Sequence, residues 1–522
     1  MPGETTVPKD DLDRHRQEAK RLRRAFAAGE EEAVRRVRAV LGDAAASEQG
    51  RVLQHARALH VIAREQGHAS WPRLKLALET AAMDRAQRAE RLERALYFGQ
   101  AWVVRALLDA HPDLPRAAFG LELATYDVAA VRARLARDPA AATAPAPRRP
   151  PIAHLCFSQY HRIAPEREGA MLAVAQLLVD HGADPNDGVP VEPGSAARLS
   201  MLYGALGHAG NLPLARWLLE HGAEPDDFES LYHATELGHR DGVTLLLAHG
   251  ADPGHTGALL RAIDMGDPAM VASLLEGGAD PDDPYVQGAD GSRQPTPPGL
   301  VHAARRFSSR EIADVLLDHG AAPARVWHGR DAYGTARVHG ADAFARALEA
   351  RGHGRPLDAT EAALAACVAG VSPDAGCLDP KALGEHDRTL PHRLAARPGA
   401  LTALRALFAA GFDLQHADEQ GMSPLHIALW EGLPDHVAFL LTLPHDLARR
   451  NGYGGDAMAT LIHGAEFCPS PGRDHLACAR LLLEAGAVPD PVEVDACGDE
   501  DLVGLLRERL DGRGADAAAG GA

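Results

Sequence analysis

Residues 231–250 read LYHATELGHRDGVTLLLAHG, and this stretch decides the fold. Leu231 and Ala234 are apolar at helical spacing. Gly238 stops that helix, because glycine takes the left-handed cap without a steric cost. A second helix follows with Val243, Leu246 and Leu247 on one face, and Gly250 ends it. The layout is helix, glycine turn, helix, glycine, short loop.

The ending of this stretch recurs along the chain. It reads LLVDHGADP from Leu177, LLEHGAEP from Leu218, LLAHGADP from Leu246, LLEGGADP from Leu274, LLDHGAAP from Leu316 and LLEAGAVP from Leu482. The first five terminal glycines, 182, 222, 250, 278 and 320, are spaced by 40, 28, 28 and 42 residues. A period near 30 residues marks a helical solenoid. Neither short helix could bury its apolar face alone, but stacked neighbours can. The first-helix layout returns over residues 259–278, 301–320, with Ser308 in place of the first glycine, and 333–352. Steps of 28 leave little room for β-fingers between repeats. Longer steps imply insertions, for example at 162–168 and 284–298.

The sequence resembles the ankyrin repeat family. Residues 421–443, GMSPLHIALWEGLPDHVAFLLTL, follow that family's G-x-T-P-L-H-x-A-x-x-x-G pattern through Gly421, Ser423, Pro424, Leu425, His426, Ala428 and Gly432. Elsewhere the first-helix half is eroded and the second-helix phrase is the better preserved. Weaker copies at 92–110, 127–135, 360–370, 403–411 and 453–486 extend the array. Residues 360–370 read as a first helix whose partner is degenerate. The expectation is an all-α, ankyrin-like solenoid of roughly 11 to 12 repeats over residues 88–511. It would follow a helical N-terminal leader over 1–82 and precede a disordered Gly/Ala-rich tail over 512–522. In the leader, VIAREQGHASWPRL at 61–74 is similar to a segment preceding the repeats in some bacterial ankyrin proteins.

Composition narrows the function. Lys and Arg total 54 against 72 Asp and Glu, a formal charge of −18, which argues against general binding to nucleic acid or anionic membrane. Residues 1–80 are the exception, with a slight basic excess. Six cysteines, at 156, 367, 377, 468, 478 and 497, contain no C-x-x-C pair. They cannot form a disulfide framework and fit a reducing compartment. The longest apolar stretch, 169–179, is too short to span a bilayer, which needs about 20 residues. The expected location is the cytoplasm.

No phosphate-binding loop, zinc-protease helix, nucleophile elbow or dinucleotide fingerprint is present. His426 and His302 fall at the histidine of the family pattern, where the resemblance implies a hydrogen bond to backbone between repeats. His181, His221, His249 and His319 precede terminal glycines, where a helix dipole favours them. His463, Cys468, His475 and Cys478 form the densest ligand-type cluster, but their spacing matches no known zinc pattern. Acidic residues follow the terminal glycines, among them Asp184, Asp227, Asp252, Asp280 and Asp283. They would either draw a basic partner or simply cap turns.

The resemblance implies a non-enzymatic protein-binding scaffold that uses no cofactor or metal. Its partners would be one or more cytoplasmic proteins, basic ones if the acidic edge is used. Tyr203, Asp227, Tyr232, Asp283 and Trp430 are the candidate contact residues. Two alternatives stand beside it: a dedicated regulator or inhibitor of one enzyme or toxin, and a metal protein or enzyme using residues 463–478.

Overall fold

The structure, a computed structural model, describes residues 9–46, 53, 55–144, 149–192, 195, 197–288, 291–373, 378–468, 470–497 and 499–519. Cys377 and residues 520–522 lie outside them. Short helix pairs dominate the chain from helix Arg85–Tyr97 onward. Helix Ser230–Glu236 buries Leu231 and Ala234, Gly238 turns the chain at φ 69°, and helix Arg240–Ala248 buries Val243, Leu245 and Leu246.

The recurrent leucine–glycine–alanine phrase has a local physical cause. Ala251 N–H donates to the Leu246 carbonyl and Gly250 N–H to the Leu247 carbonyl, both at 3.0 Å, with Gly250 at φ 91°. This is the Schellman cap, in which the leucine and the alanine also close an apolar contact over the helix end. The same pair of bonds follows Gly182, Gly222, Gly278, Gly320 and Gly486. The residue after each of these glycines is a buried alanine. The aspartate after it is also structural. Asp184, Asp252 and Asp280 each accept the backbone N–H two residues on at 2.8 Å, an Asx turn that starts the loop.

Both 28-residue steps are closed by plain loops. The two long steps carry antiparallel hairpins, Gly188–Pro190 with Arg198–Ser200 and Tyr285–Gln287 with Arg293–Pro295. The second hairpin fills the expected insertion at 284–298. The segment 162–168 instead belongs to two 3-10 turns, Tyr160–Arg162 and Pro165–Arg167, inside the repeat that ends at Gly182. At 300–320 the left-handed turn is made by Phe307, at φ 55°, one residue before the serine that stands in for glycine in the sequence pattern.

The chain divides into two compact units. One contains residues 72–336 and 341–354 together with the first residues to Asp13; the other contains 14–71, 337–340 and 355–522. The division falls inside the array and not at residue 82. The pairing pattern breaks just after it: helix Ala359–Val368 packs against Leu401–Ala409, the second helix of the next pair, rather than leading a pair of its own. In the second unit, helices Lys9–Ala27, Glu31–Ala46 and His55–Glu65 build a separate core around Leu22, Phe26, Val37 and Ile62. Arg36 ties this core's surface together, reaching Glu18 at 3.0 Å and Glu65 at 2.6 Å. The repeats of that unit share a second core running from Val338 to Leu506. The last helix, Glu500–Ala519, continues through most of the segment expected to be disordered. That segment is rich in alanine, the strongest helix former, which sustains the helix past Gly512 and Gly514.

Candidate protein-interaction surface

Asp227 and Asp283, two of the five candidate contact residues, are committed to their own loops. Asp227 accepts the Ser230 N–H at 2.7 Å and the Ser230 hydroxyl at 2.6 Å, and it also bonds the Ser200 hydroxyl. Asp283 accepts the His255 backbone N–H at 2.6 Å and pairs with its imidazole Nδ1 at 2.6 Å. Both carboxylates stitch neighbouring loops together. Trp430 is half-buried in the second unit: its carbonyl accepts from His475 Nε2 at 2.9 Å, and Gly464 of the next repeat sits against its backbone.

Tyr203 and Tyr232 are brought together. Their rings lie 5.1 and 5.2 Å from the His233 imidazole, both in edge-on geometry. Tyr203 also meets Phe157 at 6.1 Å, and Phe157 stacks on Tyr97 at 6.1 Å, so an aromatic run crosses the first helices of this unit. Burial raises the Tyr203 phenol above its usual range. Each His233 ring nitrogen faces a carboxylate, Glu229 at 3.2 Å and Glu236 at 2.9 Å. The Glu229 hydrogen bond, with that of Glu236, holds the imidazole above its usual range against burial.

Ion pairs continue the row. Arg261 reaches Glu236 at 3.0 Å, and Asp264 takes His302 and Arg306, each at 2.7 Å. Burial works against the Asp264 charge, yet His302 and Arg306 keep its pKa below the ordinary carboxylate value. His302 therefore bonds a carboxylate of the preceding repeat and not backbone. His426 does bond backbone, meeting the Arg449 carbonyl at 3.1 Å. His181, His221 and His319 each bond the carbonyl four residues back through Nδ1, at 2.8, 2.7 and 2.8 Å, consistent with the expected helix-end role.

The sequence reading missed three residues on this row. Leu237, Met265 and Phe307 end successive first helices, and they are 46%, 49% and 44% exposed. Aligning the repeats on their turns would have revealed the first two, which share the helix-end position that Arg306 holds in the third copy, whereas Phe307 stands at the turn position of Gly238 and Gly266.

The cluster at 463–478 is dispersed. His475 is bonded to Trp430, His463 stacks on Phe467 at 5.9 Å, and Cys478 is buried, which pushes its thiol up to about 12. Among the described residues no group of three or more His, Cys, Asp or Glu side chains could hold a metal ion. None of their helices is long and apolar enough to cross a membrane.

A repeated pair of short helices, closed by a Schellman glycine at 182, 222, 250, 278, 320 and 486 and by an Asx turn after three of these, defines a helical-repeat protein. A family model for ankyrin repeats matches residues 392–443. The chain therefore contains ankyrin repeats, and the same short helix pair recurs on the N-terminal side of the matched residues. It is 45% identical over 71 residues to mouse ankyrin repeat and SOCS box protein 16, and 40% identical over 100 residues to its human counterpart. These matches take in 14% and 19% of this chain and span only 16% and 22% of the length of those relatives. Palmitoyltransferase akr1 of Neurospora crassa is 35% identical over 108 residues, 20% of this chain and 13% of that protein. Two solved structures match: an ankyrin repeat domain from Acinetobacter baumannii (25% identity, 39% of this chain, 98% of that one, TM-score 0.29) and that of human ASB11 (17%, 50%, 99%, 0.20).

Proposed function

We propose that this chain is a non-enzymatic scaffold that binds a protein partner along the first-helix row of its first unit. The observation that carries the reading is the exposure of Leu237, Met265 and Phe307 at the ends of successive first helices, the first of which also carries Tyr232 and His233 of the aromatic group. Exposed apolar and aromatic side chains are enriched at interface centres. Stacked repeats offer such residues at regular intervals to an elongated partner. The five described cysteines are free thiols, which supports a cytoplasmic location.

The test is affinity capture from source lysate with mass spectrometry, comparing wild type with Leu237→Glu/Met265→Glu. Both positions are exposed, so far-UV circular dichroism should be unchanged. Loss of two anchors should cut capture of the specific partner by tenfold or more, at about 2 kcal/mol or more for a central anchor. Equal capture of every enriched protein by both forms would refute this surface as the binding site.

A further inference from the structure

A second surface of opposite electrostatic character lies near the start of the array. An open cleft of about 550 Å³ is lined by Arg73, Gln100, Trp102, Arg105 and Asp109, together with the backbone of Gly99. Arg73 reaches it from helix Trp71–Ala81, and Trp102 and Arg105 belong to helix Ala101–Ala110. The Arg73 guanidinium lies 5.7 Å from the centre of the Trp102 ring, and that of Arg94 lies 5.9 Å from Phe98. Trp102 is 37% exposed and Phe98 is 58% exposed.

Among the described residues, Arg73, Arg94 and Arg105 have no carboxylate at ion-pair distance. Other arginines of the same unit do, as in Arg134–Glu122 at 3.2 Å, Arg240–Asp267 at 2.7 Å and Arg351–Asp318 at 2.6 Å. The chain carries 72 acidic and 54 basic side chains, so carboxylates are in surplus. Two guanidiniums without a carboxylate partner, Arg73 and Arg105, beside the solvent-facing Trp102 ring, with Asp109 the carboxylate among the described lining residues, make a local site for an anion joined to an apolar group.

We infer that this cleft docks a short acidic segment of a partner protein, one that carries an aromatic or leucine side chain between carboxylates. The carboxylates pair with Arg73 and Arg105, whose planar donors suit bidentate contact. The apolar side chain packs on Trp102. A nucleic acid fits less well: its dense phosphate charge meets the field of a chain with net charge −18, whereas a short segment brings only a few charges to the cleft. The inference is independent of the first-helix row, whose residues take no part in it.

The experiment pans a random dodecapeptide phage library against the full chain, with counter-selection on Arg73→Glu/Arg105→Glu. The enriched sequences should place two or more acidic residues around Phe, Trp or Leu. A labelled synthetic copy should lose affinity about tenfold or more on Trp102→Ala, measured by fluorescence polarisation. It should also bind less tightly as salt rises. Arg73→Lys/Arg105→Lys, which keeps the charge, should retain part of the binding that the Glu pair abolishes, and circular dichroism verifies that each variant is folded. Enrichment of neutral or basic peptides, no enrichment dependent on these arginines, or tighter binding of single-stranded oligothymidylate than of the peptide would overturn the inference.

Discussion

Gly464→Ala should destabilise the second unit although alanine is the better helix former. Gly464 lies inside helix Ala457–Phe467, against the end of helix Pro424–Trp430. A Cβ there would stand 2.4 Å from the Trp430 carbonyl oxygen and 2.7 Å from its Cα, both backbone atoms that no rotamer change can move. Carbon–oxygen contacts settle near ~3.3 Å, so the two helices must separate by roughly 0.9 Å. Overpacking of this kind costs about 1–3 kcal/mol, against a helix-propensity gain of about 1 kcal/mol. The net loss should be about 0–2 kcal/mol, and toward the upper end because the atoms it meets are backbone. Gly504, in helix Glu500–Ala519, is the control: nothing lies within 4 Å of its added Cβ, and it is exposed. Gly504→Ala should gain about 0.5–1 kcal/mol by propensity alone. Urea unfolding followed by far-UV circular dichroism reads both. If the two variants shift in the same direction, or Gly464→Ala matches wild type, the close helix approach does not constrain this pair and the reasoning fails.

Acid should unfold the protein through its buried histidines. Burial pushes His55 and His161 down to about 4, and it also lowers His392, His426 and His436. Their unfolded forms protonate near 6.5, so the unfolded chain binds more protons below that pH. The stability they contribute is complete above pH 6.5 and is lost as pH falls from 6.5 toward 4. The urea midpoint should fall steadily across that window, and a flat profile would refute the assignment. His436 is 3% exposed with neither ring nitrogen bonded, so His436→Leu should raise stability by about 1 kcal/mol and flatten the acid dependence. Gly250→Ala should lower the melting temperature, since a Cβ at φ 91° costs about 1–2 kcal/mol whatever the surrounding space. Asp227→Ala should destabilise by about 1–2 kcal/mol through loss of its cap bonds, while leaving partner capture unchanged if the carboxylate serves only the loop.

What the sequence disclosed and what it withheld follow one physical division. The Schellman cap needs a particular residue at each position, so leucine, glycine and alanine recur and the second helices are readable from the chain alone. The first helices are held by packing between repeats, which many apolar residues satisfy, and their motif is correspondingly eroded. Turn positions mislead for the same reason. The pattern marks residue 308 as the substitute for glycine, but the left-handed residue is Phe307, which makes the turn with the same two backbone bonds as Gly238, so the turn is kept without the glycine that would mark it in the sequence. The acidic loop residues are legible as a series, yet the sequence leaves open whether they serve a partner or the turn. Asp184, Asp252 and Asp280 each make the same Asx bond, and that geometry accounts for their recurrence. Trp430 shows the limit of reading aromatics one at a time: its position is set by the backbone of the following repeat, 34 residues away at Gly464.

Phe307 carries the strongest argument that the first-helix row serves a purpose beyond folding. The equivalent turn is made by Gly238 at φ 69° and Gly266 at φ 65°. A phenylalanine forced to φ 55° gives up about 1–2 kcal/mol that glycine would not. Nearly half its surface faces solvent, so core burial does not repay that strain in full. Residues in such backbone conformations are held by the structure around them and cluster at functional sites. Leu237 and Met265, each one residue before the corresponding turn in the two preceding first helices, are likewise exposed. Phe307→Gly should therefore separate the two roles: the chain should be as stable as wild type or more so in thermal melts, while partner capture falls along with that of Leu237→Glu/Met265→Glu. A variant that loses stability and keeps its partner would make Phe307 a packing residue and remove the third member of the surface.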